Sequence, residues 1–403
     1  MLKRTITAVV LVAVALTSAN AQKKSKKEVE APKGYEFTVV KENYITPVKN
    51  QANSGTCWSY STISFLESEA IKKGAPKDID LADMFPVYMG YSDKAKKFVR
   101  LDGHLNYEQG SSFGDVIYTL KNYGMLPQTE LEGLNYGTDK NAHNELCAVL
   151  KAYVNVIKTK PNKVLTTAWH KGLTGILDAY LGEIPEKFVV EGKEYTPKTY
   201  AAEYLKLNAD DYVSLTSFTH HPFYSQFAIE VPDNWRWELS YNLPIDEFME
   251  IFDYAIENGY TIAWGSDVSE KGFTRNGIAV APDAVATEKA GSDEERWIGK
   301  SKDEKDAILY NLNAPGKELE ITQEMRQQGY DEKTTTDDHG MHIYGIAKDQ
   351  NGTKYYMVKN SWGPSGKYQG IWYASEAFVK FKTMNIVVNK NAIPAHIKAK
   401  LGL

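Results

Sequence analysis

Residues 54–74 read SGTCWSYSTISFLESEAIKKG. After a polar start, Ile63, Leu66 and Ala70 recur at helical spacing. Lys72, Lys73 and Gly74 then supply last-turn cations and a residue suited to the position just past a helix. The pattern predicts a helix of about four turns with Cys57 at its N-terminus. Free N–H groups and the helix dipole at that end stabilise a thiolate and lower a cysteine pKa. From position alone two readings of Cys57 stay open, a small buried hydrophobe or a nucleophile. The one other cysteine is Cys147. Pairing the two would close a loop of about 90 residues, which disulfide geometry permits. The surroundings of Cys57 argue against it, and Cys147 reads as a structural or free thiol.

Gln51 lies six residues upstream of Cys57. Its side-chain amide, with the Cys57 backbone N–H, suits a developing oxyanion. Surface glutamines are commonplace, so a nucleophile reading still needs a base. The chain has eight histidines. His220 and His221 stand before a proline in the polar stretch TSFTHHPFYS, without a second ligand cluster at metal spacing, and HExxH is absent. They read as loop or packing histidines, and no metal site is expected.

A second informative stretch is TTTDDHGMHIYGIAKDQNGTKYYMVKNSWG, residues 334–363. MHIYGIAK and KYYMVKN are β-rich, and Asn351-Gly352 between them signals a hairpin. One strand begins with His339 and His342; the other ends in Asn360-Ser361-Trp362-Gly363. Such a hairpin returns Asn360 to the histidine end, where its carbonyl can orient an imidazole that deprotonates a thiol. A tight two-residue turn sets His342 nearly opposite Asn360, whereas a loop of about five residues brings the His339 region there. Read alone, the stretch is also a plain hairpin with two surface histidines.

Gln51, Cys57-Trp58, Asp338-His339 and Asn360-Ser361-Trp362-Gly363, in that order, resemble the papain-like cysteine peptidases. The resemblance implies Gln51 as oxyanion donor, Cys57 as nucleophile, His339 as general base and then acid, and Asn360 as its orienter. Trp362 shields the His339–Asn360 bond, and Trp58 supports Cys57. His339 is chosen because Gly345 stands six residues on, as in the family pattern, and Asp338 precedes it. Ordinary secreted members carry a cysteine three residues before the nucleophile, where this chain has Ser54, and a shorter stretch between Cys and His. The chain is most similar to the bleomycin hydrolase and aminopeptidase C branch, which lacks that cysteine. NLPIDEFMEIFDYAIENGYTIAWGSDVSEKGF, residues 242–273, fits that branch as an amphipathic helix followed by a strand. GSSFGDVIYTLKNYGMLPQ, residues 110–128, resembles the helix that follows the nucleophile helix.

The implied fold is α+β and two-lobed. A helical lobe over roughly 50–240 holds the Cys57 helix and helical insertions. An antiparallel β-barrel-like lobe over roughly 245–390 carries His339 and Asn360. The tail 389–403 ends the peptidase domain 35–403. In the branch the C-terminal tail lies in the cleft and restricts cleavage to free N-termini; about 15 residues can extend some 50 Å, enough to reach it.

The N-terminus reads as a signal peptide over 1–21. Lys3 and Arg4 precede the apolar run ITAVVLVAVAL, and ANA at 19–21 has the small-x-small form of a site cleaved after Ala21. Residues 22–34 read as a disordered leader. Export to a periplasm or beyond is expected. The composition, 42% hydrophobic and 25% charged, suits one large globular domain, and a net charge of -5 gives no nucleic-acid footprint. No later apolar run is long enough for membrane insertion. The expected partners are peptide substrates, with homo-oligomer formation left open and no cofactor. An aminopeptidase is favoured; an endopeptidase of the same fold and a non-catalytic exported binding protein are the competing readings.

Overall fold

A computed structural model describes residues 34–283, 310 and 314–403. The signal peptide and the leader up to residue 33 lie outside the described residues.

Helix α1 (Cys57–Lys72) is the axis of the molecule, and every residue from Trp58 to Ala70 is buried. Ile63, Leu66 and Ala70 pack as their spacing predicts. Polar residues between them are buried too, so each needs a partner. Ser59 donates to Asp83 O at 2.6 Å, Thr62 to Trp58 O at 2.7 Å, and Glu69 accepts from Asn389 at 2.6 Å. Around α1 stand α2 (Met84–Arg100), α3 (Phe113–Asn122), α4 (Asn144–Lys158) and α5 (Ala168–Leu181). Leu146, Leu150 and Val154 on α4, and Leu173, Leu177 and Leu181 on α5, form four-residue stripes that close this core. A short turn, α6 (Pro197–Thr199), follows the two-stranded ribbon β2 (Phe188–Val190) and β3 (Lys193–Tyr195).

The second core lies against a ten-stranded sheet. Its strands are β1 (Phe37–Glu42), β4 (Tyr212–Thr216), β5 (Gln226–Ala228), β6 (Leu239–Asn242), β7 (Ile262–Ser266), β8 (Ile278–Ala279), β9 (His339–Asp349), β10 (Lys354–Lys359), β11 (Ile371–Ser375) and β12 (Thr383–Asn389). The order is β5-β6-β4-β12-β7-β9-β10-β11-β8, with β1 added on β9. Most pairs are antiparallel, but β4–β6 and β8–β11 are parallel. The sheet is therefore mixed, and among the described residues it does not close into a barrel. The amphipathic helix expected in 242–273 is α7 (Ile245–Glu257), which packs its apolar face on this sheet and leads into β7. Helices α8 (Gln323–Asp331), α9 (Glu376–Lys382) and α10 (Ala395–Leu401) complete the described elements. No helix among the described residues is long and apolar enough to cross a membrane.

Two connections bear on the cleft. The β5–β6 loop, IEVPDNWRWE over 229–238, leaves the sheet and is fastened to the helical lobe. Arg236 pairs with Asp93 on α2 at 2.9 Å and with Asp115 on α3 at 2.5 Å, and the Trp235 indole donates to Ser111 Oγ at 2.8 Å. The C-terminal segment takes a different route from the one its length allows. Ile393, Ile397 and Leu401 are buried in the sheet-side core, and Lys400 pairs with Glu247 of α7 at 2.7 Å.

The approach to α1 is fixed by a buried charge cluster. Lys49 Nζ reaches Glu67 at 3.1 Å, Asp80 at 2.7 Å and Asp83 at 3.0 Å. Burial, then the Glu67 charge, pushes Asp83 up to about 7 against the pull of Lys49. A carboxyl whose folded pKa is raised contributes stability at low pH that is lost as pH rises through the folded value. Lys49→Met strands Glu67 and Asp83 without their cation, at a cost of about 3–5 kcal/mol at pH 8. The loss shrinks near pH 5, where Asp83 takes up a proton. Urea unfolding at both pH values checks this, and an equal loss at both contradicts it.

Candidate active site

Cys57 opens α1 and lines a cleft between the two cores. It is a free thiol, as is Cys147. Its place at a helix N-terminus predicts a lowered pKa, and the N–H groups of Gly340 and Trp58 do act in that direction. Enclosure outweighs them. Burial, followed by the charges of Asp337 and Asp233, pushes the thiol up to about 12.

His339 opens β9 and lines the same cleft. Its Nε2 lies 2.8 Å from Asn360 Oδ1, which also accepts the Ser361 N–H at 2.7 Å. That second bond fixes the amide orientation, so Nε2 carries the proton and Nδ1 is the basic nitrogen. Burial lowers the His339 pKa, and Asn360 and Asp338 oppose the shift. Enclosure thus works against the charged form of both the thiol and the imidazole. Trp362 stacks on the His339 ring, with centroids 4.7 Å apart, and is braced edge-on by Trp372 and Phe273.

The hairpin settles which histidine meets Asn360. Its loop is five residues, Asp349 to Thr353, closed by Asp349 N–H to Thr353 O at 3.0 Å. Asp349 Oδ1 accepts from the N–H groups of Asn351 and Thr353, and Gly352 takes φ +87. A β-bulge between Met357 and Val358 shifts the register once more and pairs Lys359 with His342. His342 faces away from Asn360, fully buried, with Nδ1 2.8 Å from Ser64 Oγ on α1.

Gln51 is joined to the asparagine segment. Its N–H donates to Ser361 O at 2.8 Å, its Oε1 accepts from Ser361 Oγ at 2.6 Å, and its Nε2 donates to Ser54 O at 2.7 Å. One Nε2 hydrogen remains beyond that bond. Trp58 is buried, and its indole donates to Gln109 O at 3.2 Å. It anchors α1 to the 108–112 segment.

The sequence reading missed the acidic residues of the cleft. Asp233 and Glu238 come from the β5–β6 loop, and Asp337 and Asp338 precede His339. Asp338 had been noted only as a neighbour of the histidine; its carboxylate accepts from the N–H groups of Val268 and Ser269 at 2.8 and 3.1 Å. The DDH doublet and PDNWRWE were the available signals, but only the fold brings them together. His220 and His221 lie outside the cleft lining and share Glu230, at 3.1 and 3.2 Å. No second ligand cluster was expected beside these histidines; Glu230, on the β5–β6 loop, brings a carboxylate to both rings. No residue beyond Asn385 lines the cleft, so the 389–403 segment does not occupy it.

The sequence pattern of the Peptidase C1-like family matches residues 184–284 and 287–402, and that of the papain family cysteine proteases matches residues 31–85. Aminopeptidase E of Lactobacillus helveticus is 22% identical over 388 residues, 85% of this chain and 81% of that protein. Aminopeptidase C of Lactococcus lactis subsp. lactis (strain IL1403) is 20% identical over 390 residues, 86% of this chain and 81% of that protein. The solved structure of pepw from Lactobacillus rhamnosis HN001 matches with a TM-score of 0.68 at 18% identity, over 91% of this chain and 84% of that one. The two share the papain-like α+β fold. Since the first of these patterns alone covers more than half of its residues, this chain belongs to the Peptidase C1-like family and is a cysteine-type peptidase.

Proposed function

We propose that the protein is an exported aminopeptidase that cleaves peptide bonds through a thioester on Cys57. The observation that carries this reading is the His339 Nε2–Asn360 Oδ1 bond under Trp362, on the wall of the cleft that Cys57 opens into. With Nε2 committed, His339 Nδ1 takes the Cys57 proton as the sulfur attacks the carbonyl carbon. Enclosure penalises a free thiolate, so proton transfer and attack are coupled. The oxyanion is held by the Cys57 N–H and the remaining Gln51 Nε2 hydrogen, each worth about 3 kcal/mol in acyl transfer. His339 then gives its proton to the leaving amine. Water, deprotonated by the same nitrogen, hydrolyses the thioester and restores the thiol. Asn360 and Trp362 act through His339 and are positioning residues.

Two further points support the finer reading. The relatives named above are aminopeptidases by name, and the β5–β6 loop crosses the cleft. Export rests on the basic, apolar and small-residue succession of residues 1–21. Endopeptidase action is the second reading, favoured by the absence of residues 389–403 from the cleft lining.

The test uses the chain from Gln22 onward, kept reduced, with fluorogenic peptides carrying free or acetylated N-termini. Cleavage of the free-amine series alone, abolished in Cys57→Ser, is expected. Equal cleavage of both series makes the protein an endopeptidase, and unchanged activity in Cys57→Ser removes the nucleophile assignment. In Asn360→Ala the imidazole loses its orienter, and kcat is expected to fall about 10²-fold with little change in KM. A fall confined to KM would assign Asn360 to substrate binding instead.

A further inference from the structure

An unpaired carboxylate beside a nucleophile that must become an anion works against the chemistry, unless something cationic arrives with the substrate. Of the four carboxyl groups that line the cleft, Asp233 and Asp337 are the two whose charges bear on Cys57. Asp337 lines the cleft, half-buried, and its carboxyl has no hydrogen-bond or ion-pair partner among the described residues. The flanking residues hold it there. Thr336 N–H donates to Asp267 at 2.8 Å, and Asp338 is tied to the backbone of Val268 and Ser269. Burial and then the charges of Asp233 and Asp338 push Asp337 up to about 7, which places Asp233 within electrostatic reach.

Asp233 is equally fixed. It sits on the β5–β6 loop, clamped at one end by Asn234, which bonds Ile229 O and Glu238 O at 3.1 and 3.0 Å, and at the other by Arg236. Its carboxylate lies directly over Gly110, where an added Cβ would fall 1.9 Å from Asp233 Oδ2. Its one hydrogen bond is from Asn106, at 3.3 Å. The Lys94 charge acts on Asp233, but no ion pair joins the two among the described residues. Lys94 donates to Glu108 O and Gly110 O at 3.1 and 2.5 Å, and Arg236 serves Asp93 and Asp115. Buried or half-buried carboxylates of this kind call for a cation with N–H donors.

The loop also fixes which cation. Rooted in the sheet and fastened to α2 and α3, it straps the lobes together across the cleft. A strap so placed would stop a peptide chain from running on, and a chain end would then lie beneath it. We infer that Asp233 and Asp337 bind the α-ammonium of the substrate, so that an internal strap sets the exopeptidase limit at this cleft. The inference rests on the aminopeptidase reading. The bound ammonium also offsets the two charges that oppose the Cys57 thiolate, so recognition acts on kcat as well as KM.

The test compares four fluorogenic amides on the full mature chain. These are alanyl, its des-amino counterpart propionyl, N-acetyl-alanyl, and N-acetyl-lysyl, which carries its cation on the side chain. Propionyl is no bulkier than alanyl, so its discrimination reports charge and not steric exclusion. The parent is expected to favour alanyl over propionyl at least tenfold in kcat/KM, part of it in kcat. Asp233→Asn and Asp337→Asn are each expected to cut that ratio at least tenfold. Thermal melting and titration of Cys57 with an irreversible thiol reagent show whether each variant is folded with a reachable nucleophile. If one variant fails to fold, the other carries the test. A parent ratio that persists in both folded variants overturns the anchor and leaves the aminopeptidase reading standing. A parent without any preference for alanyl overturns both. Dependence on the two carboxylates for N-acetyl-lysyl alone assigns the site to a basic side chain and overturns the α-ammonium assignment.

Discussion

The close approach of α1 and β9 at Gly340 is the constraint on which the site depends. A Cβ at that position would lie 2.8 Å from both Phe113 Cε1 and Ser61 Oγ, and 3.3 Å from Cys57 O. Glycine alone lets the strand lie this near the first turn of the helix. The contact puts His339, one residue before Gly340, on the same cleft as Cys57, although nearly the whole domain separates them in sequence. It also surrounds α1 with protein. That is why the helix can carry serines and glutamates only where another element supplies the matching donor or acceptor, as Ser64 meets His342 and Glu67 meets Lys49.

Enclosure sets the electrostatics as well. A helix N-terminus favours a thiolate by a modest amount that solvent and distance weaken. Enclosing the same sulfur beside Asp233 and Asp337 outweighs this and favours the uncharged thiol, as enclosure favours the uncharged imidazole. Water that could quench a thiolate or hydrolyse a thioester early is limited by the same walls. Trp362 extends this protection to the His339–Asn360 bond, which would weaken if water competed for the asparagine carbonyl.

How much of this was legible in the sequence follows from the range of each interaction. The Cys57 helix, the hairpin strands, and the helix and strand of 242–273 are local patterns, and they formed where spacing and turn residues placed them. The choice between His339 and His342 was not local. It turned on a five-residue loop and on one bulge, neither of which composition fixes, and only the family pattern favoured His339 beforehand. For the thiol, the dipole can be inferred from a helix end, whereas enclosure by distant elements cannot. The barrel-like expectation became a mixed sheet because β8 and β6 join in parallel, through connections that no strand pattern announces. Asp233 and Asp337 were invisible as a pair for the same reason.

The strap and the C-terminal segment pose one problem with two solutions. A cleft that accepts only chain ends needs a barrier and a counter-charge at that barrier. A terminal arm would bring both, since it ends in a carboxylate, but a free arm loses much conformational entropy when it settles into a cleft. In this chain residues 393–401 are spent on the sheet-side core, where Ile397 and Leu401 are buried. On the aminopeptidase reading the barrier falls to a loop tethered at both ends by β5 and β6 and pinned by Arg236 between two carboxylates. Its ordering cost is met once, on folding, with the lobes it joins. Such a loop has no terminal carboxylate to offer, so the counter-charge must come from side chains. On the same reading, that requirement accounts for acidic residues beside the nucleophile they hinder.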